Sequence, residues 1–199
     1  MKNRLKADQR KEKILDAAAR LFRKKSFLST TIDDLAAYLK INKATIYYHF
    51  ETKGHLLYEV MAYPLDNLIQ QAQLIADRDV LPSEKLKALV NLHLVNYGTS
   101  PTSLSGIAAF ELKNLPRPLL QAYIAKRDKF EDIFRGVIRE GISLGLFREN
   151  NINMTTRFIL GLMNSVPLWF KKTGSLSEEE VCEEVYKFLS HCILNSGSR

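Results

Sequence analysis

Apolar residues recur along this chain at the spacing of an α-helix and almost nowhere at the spacing of a strand. That periodicity restricts the fold more than any other feature. Ile14, Leu15, Ala18, Leu21 and Phe22 place an apolar stripe on one side of a helix. Ile32, Leu35, Ala36 and Leu39 do the same over a shorter span. Leu120, Tyr123, Ile124, Phe130, Phe134, Val137, Ile138 and Ile142 predict a helix of about six or seven turns. Val181, Val185, Phe188, Leu189 and Cys192 mark the last one. No stretch alternates β-branched and polar residues for long enough to argue a strand. The predicted fold is therefore all-α, with about nine helices.

The residues between these stripes punctuate them. Thr31 with Asp34, and Ser177 with Glu180, have the spacing of a capping box. Pro82, Pro101, Pro116 and Pro118 fall where helices should begin or be separated. Gly145 reads as a helix stop, and Asn150-Asn151 as a turn. Pro64 interrupts the helical pattern from His55 to Ala76, which predicts a kink or break.

Charge is spread unevenly. Residues 1 to 60 hold thirteen Lys or Arg against seven Asp or Glu, while the remainder holds sixteen against fifteen, so nearly all of the net +7 lies in the first third. A basic N-terminal unit facing a polyanion and a near-neutral unit with another task account for this asymmetry. Cys182 and Cys192 are ten residues apart, about 15 Å along one helix, too far to bond to each other and without metal-ligand spacing. Met1 to Lys6 lacks the apolar run of a signal peptide. The uncharged stretch Ala88 to Phe110 is long enough to span a bilayer, but insertion would bury Asn91, His93, Asn96 and Pro101. A cytoplasmic protein with no membrane partner is expected.

The most specific segment is TTIDDLAAYLKINKATIYYHFETK, residues 30 to 53. A helix from Ile32 to Leu39, a turn at Lys40 to Asn42 and a second short helix capped by Asn42 predict a helix-turn-helix, whose second helix projects its outer face as a reader. Ile32, Leu35, Ala36, Leu39, Ile46 and Phe50 would pin the helices together. Lys43, Ala44, Thr45, Tyr47, Tyr48 and His49 remain outward. They mix small residues that let a helix enter a groove with donors suited to phosphates and base edges.

Leu15 to Phe27, Thr31 to Ala36, and above all Thr45-Ile46-Tyr47-Tyr48-His49-Phe50 with Lys53 resemble the tetracycline-repressor (TetR) family. The match covers roughly residues 8 to 58 and departs from the family at Lys40, where Gly is frequent. The resemblance implies a three-helix DNA-binding domain over residues 1–52 and a helical ligand-binding and dimerisation domain over 53–199. It implies Lys43, Ala44 and Thr45 in the major groove and Tyr47, Tyr48 and His49 on the phosphate backbone. Thr31 and Lys53 would grip phosphates from two flanking helix N-termini.

It further implies a cavity among the middle helices and a dimer interface from the last two. There Phe158, Leu162, Val166, Trp169, Val181, Val185, Phe188 and Cys192 would form paired apolar faces. The segments RDKFEDIFRGVIREGISLGLF and NSVPLWFKKTGSLSEEE are similar to the branch that controls fatty-acid and steroid breakdown, whose members release DNA on binding acyl-CoA thioesters. The implied function is a ligand-responsive repressor that binds a palindromic operator in double-stranded DNA as a homodimer. A drug-responsive regulator of an efflux pump is the alternative. His93, Tyr97, Phe110, Tyr123, Arg127, Asn164 and Trp169 are candidate ligand contacts, with core packing the favoured reading for each aromatic. Arg127 could meet a phosphate or carboxylate, or pair with Glu131 at i+4.

An enzyme is not expected. Gly141-Ile142-Ser143-Leu144-Gly145 has the G-x-S-x-G form of a nucleophile elbow, which needs a sharp strand-to-helix turn, yet here it follows unbroken helical periodicity. His49, His55, His93 and His191 form no metal-binding spacing, and no cofactor is implied.

Overall fold

A computed structural model describes residues 2–98 and 111–195, and the side chains of residues 9–96 and 111–195 among them. It contains α1 (Lys2–Lys25), α2 (Ile32–Leu39), α3 (Lys43–His49), α4 (Lys53–Ala76) and α5 (Pro82–His93). After a π-helical turn, Leu94–Gly98, and a 3-10 turn, Leu112–Asn114, come α6 (Arg117–Ser143), α7 (Ile152–Trp169) and α8 (Glu178–Ile193). The described residues form no strand, so the architecture is all-α. Packing divides the chain into two compact units, Met1–Leu65 with Leu104–Ala125, and Asp66–Ser103 with Lys126–Arg199. Both α4 and α6 contribute residues to each unit. α4 continues through Pro64 without interruption, so the predicted break is absent.

In the first unit, Ile14, Ala18 and Phe22 of α1 are buried together with Leu35 and Ala36 of α2, Ile46 of α3 and Phe50. Each large apolar side chain withdrawn from water in this way stabilises the unit by about 1.5–3 kcal/mol. Ile32 and Leu39, expected in the same set, are half-buried at its rim. The α2 capping box is complete: the Asp34 N–H donates to Thr31 Oγ1 at 3.0 Å, and the Thr31 N–H donates to the Asp34 carboxylate at 2.8 Å. α2 ends in a Schellman motif, with the Ile41 N–H donating to the Ala36 carbonyl at 3.0 Å and Lys40 left-handed at φ 55°. A side chain at that angle costs on the order of 1 kcal/mol, and the Lys40 side chain is exposed.

The second unit is a helical bundle. α5 meets α8 where the Tyr186 hydroxyl donates to the Ser83 carbonyl at 3.1 Å and Lys87 pairs with Glu183 at 3.0 Å. α5 meets α6 through Lys85, itself buried, whose ammonium donates to both Glu140 oxygens at 2.9 and 3.0 Å. A buried ammonium is tolerated only with such a partner. The Ser177–Glu180 capping box opens α8, and Asn151 caps α7. α6 ends in a second Schellman motif at Gly145, φ +70°. Here the G-x-S-x-G segment finds its structural role. Gly141 lies against the Phe147 ring, where a Cβ would fall 2.3 Å from Cδ2, and Ser143 Oγ donates to the Glu140 carbonyl at 2.8 Å. The two glycines serve a helix stop and a close contact.

The residues grouped as one dimer-forming face in the sequence divide into two sets. Val166, Val181 and Val185 belong to the core of their own chain, Val185 being 8% exposed, whereas Phe158 and Phe188 are 67% and 61% exposed. The reason is helical phase. Phe188 is three residues beyond Val185, about 60° round the axis, which is enough to separate an inward from an outward position.

Candidate DNA-binding interface and effector domain

α3 is short and built for display. Asn42 caps it by accepting the Ala44 N–H at 2.9 Å, and Ile46 anchors its inner side without any exposure. Lys43, Ala44, Tyr47 and Tyr48 are exposed on its outer side, with Thr45 and His49 half-buried at the margins. Tyr48 is 82% exposed and packs edge-on against the His49 ring at 5.1 Å. Burial, with Arg10 and Lys11 nearby, holds the His49 imidazole below its usual pKa. Lys43 pairs across to Asp33 of α2 at 3.3 Å. This exposed ion pair is weak and adds little to stability.

The two helix N-termini expected to grip phosphate are differently prepared. The Thr31 hydroxyl donates to Asp34 at 2.9 Å, so its proton is already engaged within the capping box. Lys53 opens α4, where its ammonium sits 4.3 Å over the Phe27 ring and 3.4 Å from the Leu28 carbonyl. Burial lowers its pKa, with the Glu111 and Asp34 carboxylates acting in the opposite direction. Thr31, Lys43 and Lys53 thus come from three helix starts within one unit, although they are up to 22 positions apart in the chain.

Comparison with known proteins decides the family. Residues 14–60 match the model of bacterial regulatory proteins of the tetR family, and residues 79–193 match that of the tetracyclin repressor-like C-terminal domain. The chain belongs to the TetR family. It is 26% identical over 179 residues to the HTH-type transcriptional repressor KstR2 of Rhodococcus jostii (strain RHA1), covering 88% of this chain and 86% of the relative. Among solved structures it is similar to the TetR-family regulator PfmR from Thermus thermophilus. That similarity has a TM-score of 0.80 at 28% identity and covers 88% of this chain and 96% of PfmR. It also shares its fold with AibR, solved in complex with isovaleryl coenzyme A and operator DNA, with a TM-score of 0.80 at 23% identity over 90% of this chain and 97% of AibR. As a TetR-family chain it is a DNA-binding transcriptional regulator.

The candidate effector contacts of this TetR-family chain are dispersed. His93, at the end of α5, is buried against Phe130 with ring centroids 5.7 Å apart, and its Nε2 lies 3.1 Å from Asn164 Oδ1 on α7. Burial pushes the His93 pKa down to about 4, with the Asn164 hydrogen bond opposing the shift. Tyr123 is buried in the unit that holds the DNA-binding helices. Arg127, Asn164 and Trp169 are exposed. Glu131, the alternative partner for Arg127, is instead paired with Arg135. Phe110 and the Tyr97 side chain lie outside the described residues. A groove of about 560 Å³ opens between α4 and α6, floored by Ile69, Ile133 and Val137, and none of the five candidates with described side chains lines it.

Three charged residues of evident consequence carry no sequence signal. Lys85 and Glu140 are 55 positions apart, and Glu111 is 84 positions from the Phe27 amide it receives. No local pattern announces such pairs.

Proposed function

We propose that the chain is a repressor that binds a palindromic operator as a homodimer and is released by a largely apolar small molecule, with a fatty acyl-CoA as first candidate. The observation that carries the DNA reading is the outward face of α3, where Lys43, Ala44, Tyr47 and Tyr48 project from a helix held by the buried Ile46. The half-sites lie about one helical turn apart, roughly 34–36 Å, or somewhat more. Lys43, Ala44 and Thr45 read bases, while Tyr47, Tyr48, His49, Thr31 and Lys53 hold the backbone.

The dimer reading is supported by an apolar stripe on α7, with Met154, Phe158 and Leu168 exposed around Gly161, and by Phe188 and Cys192 exposed one turn apart on α8. Such residues left in water favour a second copy presenting the same stripe. The effector reading is supported by the relative crystallised with isovaleryl coenzyme A and by the ketosteroid regulator KstR2, which shares the fold at 22% identity. α4 carries Lys53 at its first residue and continues to Ala76 in the second unit, so an effector that shifts α4 shifts a phosphate contact. The effector must prefer the DNA-incompetent state, because equal affinity for both would move nothing. A coupling of about 1–3 kcal/mol weakens operator binding roughly 5- to 150-fold.

The test uses duplexes that the wild-type protein enriches from a random-sequence pool. These are titrated in the presence of long-chain acyl-CoA, free fatty acid and a cationic drug panel. Release by acyl-CoA is expected. Release by drugs alone would replace this reading with that of an efflux-pump regulator, and failure to enrich any duplex would overturn the DNA reading itself.

A further inference from the structure

The first unit contains a segment that is remote in the chain. Residues just before α6 pack with the DNA-binding helices, and Glu111 is their point of attachment. Its carboxylate is buried, 7% exposed, and accepts the Phe27 N–H at 2.8 Å and the Asn114 side-chain amide at 2.6 Å. Phe27 lies in the turn between α1 and α2, and its ring is the surface over which the Lys53 ammonium sits. The next backbone carbonyl, Leu28, accepts from that ammonium. Pro116 closes the other side of the arrangement, leaving a Cβ at Gly54 only 3.1 Å from its ring. The turn that leads to Thr31, the first residue of α4 and the segment at 111–116 therefore form one assembly with a buried carboxylate at its centre.

We infer that Glu111 is a positioning residue for DNA binding: by fixing the Phe27 amide it sets the turn that places Lys53, and with it Thr31, against the phosphate backbone. The inference rests on the reading of Lys53 as a phosphate contact. The hydrogen bond supplies the effect through geometry, since a buried N–H deprived of its acceptor drives the turn to rearrange toward water. What matters is the reach of the acceptor, so an amide at the same distance serves and a shorter carboxylate does not.

The experiment compares Glu111→Gln, Glu111→Asp and Glu111→Ala in the full chain. The duplex is one enriched by the wild type from a random pool, with a scrambled duplex alongside, across a salt series. Glu111→Gln keeps an oxygen on the Phe27 amide, with the Asn114 side-chain amide turned to accept from the new NH2, and should bind within about threefold of wild type. Glu111→Asp draws the carboxylate back by roughly 1.5 Å. It should bind about tenfold more weakly, with a salt slope shallower by up to about one unit, as if Lys53 no longer reached its phosphate. Glu111→Ala should behave like Glu111→Asp, and should add little once Lys53→Ala is already present. Amide exchange over residues 26–31 should quicken in the Asp and Ala variants alone. If Glu111→Ala does not fold, the Gln and Asp pair still discriminates. Wild-type affinity and slope in the Asp variant would overturn the inference. So would a loss in the Asp and Ala variants that leaves the slope intact and adds in full to Lys53→Ala. A wild type that enriches no duplex would instead overturn the DNA reading.

Discussion

Lowering the pH from 7.5 to 5.0 should destabilise this protein through His93. The imidazole is fully buried against Phe130, and its pKa falls from 6.5 to about 4 on folding. The unfolded chain therefore binds the proton more readily than the folded one. The stability that neutral His93 contributes is complete above pH 6.5 and is lost progressively as the pH falls toward 4. For this shift the loss relative to neutral pH is about 2 kcal/mol at pH 5 and approaches roughly 3 kcal/mol near pH 4. Asp34 and Glu180 are held below their ordinary values by the amides of Thr31 and Ser177, so they cost stability only at lower pH, below about 4.5. His49 acts in the same direction as His93 and must be subtracted. Urea unfolding followed by circular dichroism at pH 7.5, 6.5, 5.5 and 5.0, on the wild type and on His93→Gln, makes that subtraction. Between pH 7.5 and 5.0 the wild-type midpoint should fall by on the order of 1 M more than that of the variant. Parallel curves for the two proteins would refute the argument, because they would mean that His93 is as easily protonated folded as unfolded.

Phe188→Asp should yield monomers by light scattering with unchanged helicity, because Phe188 is exposed in the single chain; a surviving dimer would place the interface elsewhere. Val185→Asp should instead lower the melting temperature sharply, since its carboxylate would enter the chain's own core at a cost of several kcal/mol. Lys40→Gly should raise stability by about 0.5–1 kcal/mol in urea titrations by relieving the left-handed side chain, less the entropy that glycine adds to the unfolded state. Asp34→Ala should cost about 1 kcal/mol through loss of the α2 capping box, with thermal unfolding as the readout.

Much of the fold was legible because its determinants are local. The stripe from Ile14 to Phe22, the capping boxes at Thr31 and Ser177, the Asn42 cap and the stop at Gly145 all act over three or four residues, the range over which helix geometry makes sequence neighbours into spatial neighbours. The reading motif was legible for the same reason, α2, the turn at Lys40 and α3 being contiguous. Pro64 is the instructive exception. Its ring penalises a helix interior locally, yet α4 runs through it with Leu65, Leu68 and Ala72 buried beyond, so tertiary burial outweighs the local cost.

Periodicity by itself determined that this chain is all-α and that a short helix after Asn42 turns Lys43, Tyr47 and Tyr48 outward, because both follow from the 3.6-residue repeat. It could not separate Val185 from Phe188, since both are apolar and only the arrangement of α5 and α8 decides which of them meets the chain's own core. Nor could it join Lys85 to Glu140, or Glu111 to the Phe27 amide. Those pairings depend on where helices far apart in the chain come to rest. A charge becomes costly enough to demand a partner only once the fold has taken it out of water.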